Sequence, residues 1–291
     1  MSRILHHAAP VATVVAIILA LWYLGAVVLN APWVRDQAAR AGQEVTLAEL
    51  IPATMAQERP VLPAPHQVAI EIWQTTVEKS VTSKRSLVYH GWITLSATLL
   101  GFVMGTVLGM ALAIGIIHNR AMDMSVMPWV IASQTIPILA IAPMIIVVLN
   151  AVGLSGLIPK AMISTYLSFF PVVVGMTKGL RSPDALQLDL MTTYSASGAQ
   201  VFWKLRFPAS LPYLFTSMKV AVAASLVGAI VGELPTGAVA GLGARLLAGS
   251  YYGQTIQIWA ALFAAAFLAA GLVAAVGLAK GVVDRRMGAR A

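Results

Sequence analysis

RSPDALQLDLMTTYSASGAQVFWKLRFPASLP, residues 181–212, is the longest stretch of low hydrophobicity between two apolar runs in the C-terminal half of the chain. Lys178 and Arg181 stand at its entrance, Lys204 and Arg206 lie within it, and Pro208 and Pro212 end it. Residues 184–200 read as helix. Ser182 followed by Pro183 is a natural start, a capping residue and then proline at the first helical position. Leu186 and Leu190 are four apart, with Met191 beside them, so the three can share one face. A short amphipathic helix held between apolar runs suits docking on another surface; a solvated loop is the plainer alternative.

Outward from this stretch the chain is apolar. Of 291 residues, 59% are hydrophobic and 10% charged, with a mean hydropathy of +0.82. Soluble domains carry about 25% charge, so this composition predicts an all-α polytopic membrane protein rather than a solvated globule. The net charge of +8 comes from bases at the ends of apolar runs, not from one patch, and does not signal a nucleic-acid partner. There is no cysteine, hence no disulfide framework and no cysteine-ligated metal.

About six spans follow from the apolar runs: residues 8–28, 90–117, 126–149, 161–179, 213–234 and 256–279. The first reads as a signal anchor, with a cleaved signal peptide as alternative. Residues 31–89 are polar and mixed, with six acids and six bases that cancel, as translocated segments tolerate. Within them, residues 67–80 read as an amphipathic helix with Ile70, Trp73 and Val77 on one side, suited to a membrane surface. Residues 32–59 read as a spacer or a contact for an external partner.

Several residues stand out inside the spans. Gly101, Gly105 and Gly109 recur every four residues and offer a face for close helix packing. His90 reads as a polar residue at the membrane boundary. Pro137 and Pro143 interrupt the third run beside Gln134 and Thr135; they free carbonyls that a cavity or neighbours must satisfy, or they are ordinary kinks. Tyr166, Phe169 and Phe170 read as packing. Lys219 reads as lying near the inner end of the fifth span, where it can snorkel. Glu233 lies near the outer end of that span; an acid at such depth is functional by default, or binds the glycine-rich segment after it. That segment, 236–253, reads as a flexible loop. It carries no nucleotide fingerprint.

The opening stretch has a further pattern. Asp189-Leu190-Met191, then Ser195 after three residues, then Leu205-Arg206-Phe207-Pro208 after nine, resembles the cytoplasmic loop signature of permease subunits of binding-protein-dependent ABC importers. That signature reads Glu-Ala-Ala, three residues, Gly, nine residues, Ile-x-Leu-Pro. Asp189 stands for the Glu, Leu190 and Met191 for the alanines, and Ser195 for the Gly. Leu205, Phe207 and Pro208 stand for Ile, Leu and Pro. Residues 209–212, Ala-Ser-Leu-Pro, and Leu62-Pro63-Ala64-Pro65 ahead of the second span also look like the family. The similarity is strongest to the nitrate, sulfonate, taurine and pyrimidine-precursor branch.

The resemblance implies a type I ABC importer permease fold with both termini cytoplasmic, in the bacterial inner membrane. It implies an N-terminal transmembrane helix over 1–30 and a periplasmic segment over 31–89. A transport core of five transmembrane helices would occupy 90–283, with a coupling loop at 181–212 and a cytoplasmic tail at 284–291. It implies two ATP-binding cassette subunits, a second permease subunit (the same chain or a sister), and a periplasmic solute-binding protein. ATP and magnesium would sit on the partner ATPase, with no cofactor on this chain. Leu190 and Met191 would enter the ATPase groove while Lys204 and Arg206 position the loop. Gln134, Thr135, Pro137 and Glu233 would border the translocation path. The solute would be a small organic anion or a pyrimidine- or flavin-type precursor.

Charge agrees with that orientation. With both ends inside, Arg3, Arg120, Lys178, Arg181, Lys204, Arg206, Lys280, Arg285, Arg286 and Arg290 face the cytoplasm, while Lys160 and Arg245 face out. The chain has no Walker A loop, no catalytic triad and no metal-binding histidine pair; His6, His7, His66, His90 and His118 are scattered. A transport subunit without its own ATPase site is therefore expected. The alternatives are an ion-coupled secondary transporter, which calls for several intramembrane charges and an inverted repeat, and a non-transporting membrane scaffold.

Overall fold

The computed structural model describes residues 2–235 and 239–287, and side chains from residue 9 onward. Arg3, His6 and His7 (as side chains), Thr236, Gly237 and Arg290 lie outside what it describes. Every regular element among the described residues is helical. The chain divides into two units: Met1–Tyr89 with Arg245–Ala264, and His90–Ala244 with Ala265–Ala291.

Among the described residues, five helices are long and apolar enough to cross a bilayer: α1 (Ser2–Arg40), α4 (Leu87–His118), α7 (Leu157–Leu180), α10 (Phe207–Gly232, continuing an earlier turn from Gly198) and α12 (Thr255–Arg286). Where a sixth span is expected, two short helices stand instead. Helices α5 (Arg120–Ser133) and α6 (Ile138–Ala151) meet at a 100° bend. Each holds 14 residues, about 21 Å at ~1.5 Å per residue, too short alone for a core of about 30 Å. The break falls at 134–137, where Pro137 lacks a donor and disfavours helix at Ile136. Pro143, expected to interrupt as well, sits inside α6, and Pro128 inside α5.

In the first unit, α1 does not stop at the end of its apolar run. It continues through residues 31–40, where the polar sequence predicts loop, and α2 (Leu47–Met55) folds back on it. Ala31, Val34 and Leu50 form a small core there. Asn30, fully buried, stitches the return: its carbonyl oxygen accepts the N–H groups of Val61 (2.8 Å) and Leu62 (3.2 Å), and its amide donates to the Leu62 carbonyl (2.9 Å). Helix α3 (Pro65–Trp73) then runs into a π-helical turn, Gln74–Glu78. Ile70, Trp73 and Val77 are all exposed along it. Helix α11 (Leu242–Tyr251) replaces the flexible loop expected over most of 236–253.

In the second unit, α7 packs between α4 and α10, and small residues set the spacing. A Cβ on Gly101 of α4 would stand 2.2 Å from the Ser164 Cβ of α7, and one on Gly228 of α10 only 2.6 Å from the Ser164 Cα. Gly105 and Gly109 likewise face Ser168 and Val172. Hydroxyls then bond across the close approach: Ser164 donates to the Ser225 carbonyl (2.9 Å) and Ser225 to that of Thr98 (2.8 Å). In lipid, where apolar contact alone gives no selectivity between helices, such close packing and interhelical bonding drive association. Lys219, expected near the inner end of its span, lies near the middle of α10, and a Cβ at Gly277 of α12 would stand 3.6 Å from its Nζ. The span begins earlier than the apolar run, which shifts Lys219 toward its centre.

Candidate functional site

The stretch 181–212 is about three-quarters helix, with breaks at 181–184 and 194–197. The expected helix over 184–200 is two pieces: α8 (Ala185–Thr193) and α9 (Gly198–Val201). Asp184, not Ser182, caps α8: its carboxylate accepts the Gln187 N–H at 2.8 Å, and the Gln187 side chain accepts the Asp184 N–H at 3.2 Å. This reciprocal pair satisfies two free donors of the first turn, and Pro183 precedes the helix instead of starting it. Ser197 and Gln200 repeat the arrangement at α9. A π-helical turn, Phe202–Arg206, carries α9 directly into α10. Lys204 to Pro208 and Pro212 are thus helical, not loop; Pro208 follows the π-helical turn directly and Pro212 lies inside α10.

The break between the pieces is made by Ser195. Its φ of 53° is the sole positive value at a non-glycine among the described residues. The Ala196 N–H bonds the Met191 carbonyl (3.0 Å) and the Ser195 N–H that of Thr192 (2.8 Å), the paired closure of a helix ending on a left-handed residue. Glycine takes that conformation freely; serine is strained in it.

Around this turn the surface is apolar and open. Leu186 and Tyr194 are 78% and 77% exposed, and Leu190 between them is exposed too. Spaced by four, they line one face. Asp189 is exposed and Met191 half-buried. The knob is tied down from behind. Arg206 donates to the Leu180 carbonyl at 3.0 Å, capping the end of α7, and Arg181 meets Asp123 of α5 at 2.8 Å. Phe202, Trp203 and Phe207 cluster at its base. Lys204 is exposed, and Leu205, Phe207 and Pro208 are half-buried.

The other sequence-selected residues lie elsewhere. Gln134, Thr135 and Pro137 are exposed at the α5–α6 break; Gln134 donates to the Ser133 hydroxyl and Thr135 to the Ala132 carbonyl. Tyr166 holds the same place, donating to the Ser133 carbonyl. Glu233 is fully buried at the end of α10. Its carboxylate accepts from the Thr94 hydroxyl (2.9 Å) and the Gly243 N–H (2.9 Å), with the Lys160 ammonium 3.5 Å away. The Leu242 N–H goes to the Thr94 hydroxyl (2.9 Å) and the Gly241 N–H to His90 Nδ1 (3.0 Å). Three successive amides are each received by a different side chain. His90 is thus a buried anchor, not a boundary residue. His90, Thr94 and Thr98 recur every four residues in an apolar helix, a polar stripe by which this role was open to detection. Lys160 carried no such signal.

No group of three metal-ligating side chains occurs among the described residues. Residues 105–289 match the family model described as "Binding-protein-dependent transport system inner membrane component". The formylaminopyrimidine transport permease protein ThiX of Halalkalibacterium halodurans is 32% identical over 194 residues, 66% of this chain and 72% of that protein. The riboflavin transport system permease protein RibX of Chloroflexus aurantiacus is 32% identical over 189 residues, 64% and 65% of the two chains. The putative aliphatic sulfonates transport permease protein SsuC of Bacillus subtilis is 24% identical over 202 residues, 69% of each. With an all-helical, multi-pass architecture and a family match over most of its length, this chain belongs to the inner-membrane permease components of binding-protein-dependent ABC transporters, a transport subunit and not an enzyme.

Proposed function

We propose that this chain is the membrane-spanning half of an ATP-driven, binding-protein-dependent importer, moving a small organic anion or a pyrimidine- or flavin-type precursor inward by alternating access. The observation that carries this reading is the exposed apolar face of α8, fastened through Arg206 to the end of α7. A lever must offer a grip and must not slip against the helices it moves. Two ATP-binding cassette subunits supply ATP and magnesium chemistry; Leu190 and Met191 enter the ATPase groove. A second permease subunit and a periplasmic binding protein complete the machine. Closure of the ATPases draws two such knobs together, and the spans switch as rigid bodies. The transport core runs over 90–283, after an N-terminal helix (1–30) and a periplasmic segment (31–89). A short cytoplasmic tail follows at 284–291, of which 288–291 lie outside the described residues. Gln134, Thr135 and Pro137 border the path at the broken span. For Glu233 the contacts favour the loop-holding role.

Parity supports the topology. Arg181 reaches Asp123, and Arg245 donates to the Arg85 carbonyl at 2.9 Å. Partners in such a bond share one side of the bilayer, so an even number of crossings separates them. Between 123 and 181 lie the α5–α6 pair and α7; between 85 and 245 lie α4, that pair, α7 and α10. Both counts are even when the bent pair is one crossing. Six crossings in all return the C-terminal end to the side of the N-terminal end, and the basic loops make that side the cytoplasm.

The relatives' names support the solute class: formylaminopyrimidine, riboflavin and aliphatic sulfonates are all small organic solutes. The test is reconstitution with the cognate ATPase and binding protein. Arg206→Glu and Met191→Asp should insert normally yet lose ATP-dependent uptake; normal uptake in both would refute the lever.

A further inference from the structure

The first unit holds a polar cavity of about 420 Å³ that the transport reading does not use. That volume is in the range of small-ligand sites, ~300–1,000 Å³. Its lining is unusual for a membrane protein. Three cations, Lys79, Arg85 and Arg245, converge on it with three primary amides, Gln74, Gln254 and Gln257. Glu71 is the sole acid in the lining, so the walls carry two net positive charges.

Glu71 is already engaged. Its carboxylate lies 3.3 Å from the Arg245 guanidinium, which also donates to the Arg85 carbonyl at 2.9 Å. These contacts fix the guanidinium at the wall, with its side chain only 10% exposed. Its Nε–H is buried and meets no acceptor among the described residues. The side chains of Lys79 and Arg85 form no ion pair among the described residues. A buried donor without an acceptor is costly, and unpaired cations around a concave wall focus a positive potential. Glutamine amides add donors that turn to suit a ligand.

We propose that this cavity binds a small oxyanion-bearing solute, a carboxylate, sulfonate or inorganic oxyanion, directly on the permease. Its location outside the membrane rests on the orientation given above, which puts 65–89 and 242–254 on the outer side. The cavity then stands where solute leaves a binding protein, and it favours the anionic members of the solute class. Specificity is thereby shared between the binding protein and this chain.

The test uses the full chain in nanodiscs of neutral phosphatidylcholine, without the ATPase, so that binding is read apart from transport. The probes are radiolabelled sulfate and methanesulfonate, with uracil as the uncharged comparison. We expect saturable binding of one anion per chain and none of uracil. Lys79→Gln and Arg85→Gln should each weaken anion binding about ten-fold. Both side chains are exposed, and the Arg85 carbonyl that Arg245 holds is untouched, so these variants keep the fold. Gln257→Ala should weaken it less. Absent anion binding, binding unchanged in both cation variants, or equal binding of uracil overturns the proposal. Nanodiscs of phosphatidylglycerol separate a soluble anion from a lipid headgroup: retained sulfate binding supports a soluble solute, and its abolition assigns the cavity to headgroups and overturns it. A failure of ATP-driven uptake with anion binding intact would count against the importer reading alone.

Discussion

The Thr94 hydroxyl donates to the Glu233 carboxylate at 2.9 Å, joining residues 139 positions apart at a point where neither is exposed. The bond closes a knot that also holds Lys160, Gly243 and, through Thr94, Leu242. Glu233→Ala removes the counter-charge of Lys160, which keeps only the Ala240 carbonyl at 3.0 Å, and leaves the Gly243 N–H without its acceptor. The loss of one partner from such a buried pair costs about 3–5 kcal/mol. Thermal unfolding in detergent should show a large drop for Glu233→Ala and a smaller one for Glu233→Gln, which keeps an oxygen for Thr94.

The approach of α4 to α7 leaves no room at Gly101. Gly101→Ala puts a methyl 2.2 Å from the Ser164 Cβ and 2.7 Å from the Ala161 carbonyl oxygen. The helices must separate, and overpacking of this kind costs about 1–3 kcal/mol. Adding Ser164→Gly should recover part of the stability and not all, because the carbonyl remains. Full recovery in a double-mutant cycle would show that the backbone contact is unimportant.

At the knob, Ser195 holds a left-handed turn that a glycine adopts without strain. Ser195→Gly should stabilise the turn by about 1 kcal/mol and leave coupled transport intact. Ser195→Val, branched at Cβ, should loosen it by more. Amide hydrogen exchange at residues 192–196 reads the difference directly.

The chain has no cysteine, so single introduced thiols report topology without background. Thr82→Cys and Tyr252→Cys should react with an impermeant reagent from the periplasm, and Tyr194→Cys only from the cytoplasm. Reaction of Tyr194→Cys from outside would reverse the orientation and with it the coupling role of α8.

How much of this was legible in the residues differs by level. The apolar runs announced the five long helices, because in lipid a backbone must satisfy itself and only helix does so within one segment. The glycine spacing in α4 marked its packing face for the same local reason. The spacing of residues 189–208 carried the family resemblance even though several identities differ.

Boundaries and partners were not legible. Nothing local says that α1 should continue to Arg40; the small core with α2 and the buried Asn30 extend it. Residues 201–206 fall outside both the expected helix and the expected span, yet they belong to the first turns of a 35-residue helical segment in which Phe202 is buried.

Composition and periodicity by themselves determined that this protein is built of membrane helices with a less hydrophobic stretch between two of them. Only tertiary structure decided that Glu233 holds a loop and that Arg245 finds Glu71, 174 residues away. It also decided that α5 and α6 meet at a 100° bend. The physical reason is range. Hydrophobic transfer and backbone satisfaction act within a single segment and leave a trace in its residues. A hydrogen bond or an ion pair between distant segments depends on where packing brings them, and neither segment alone records that.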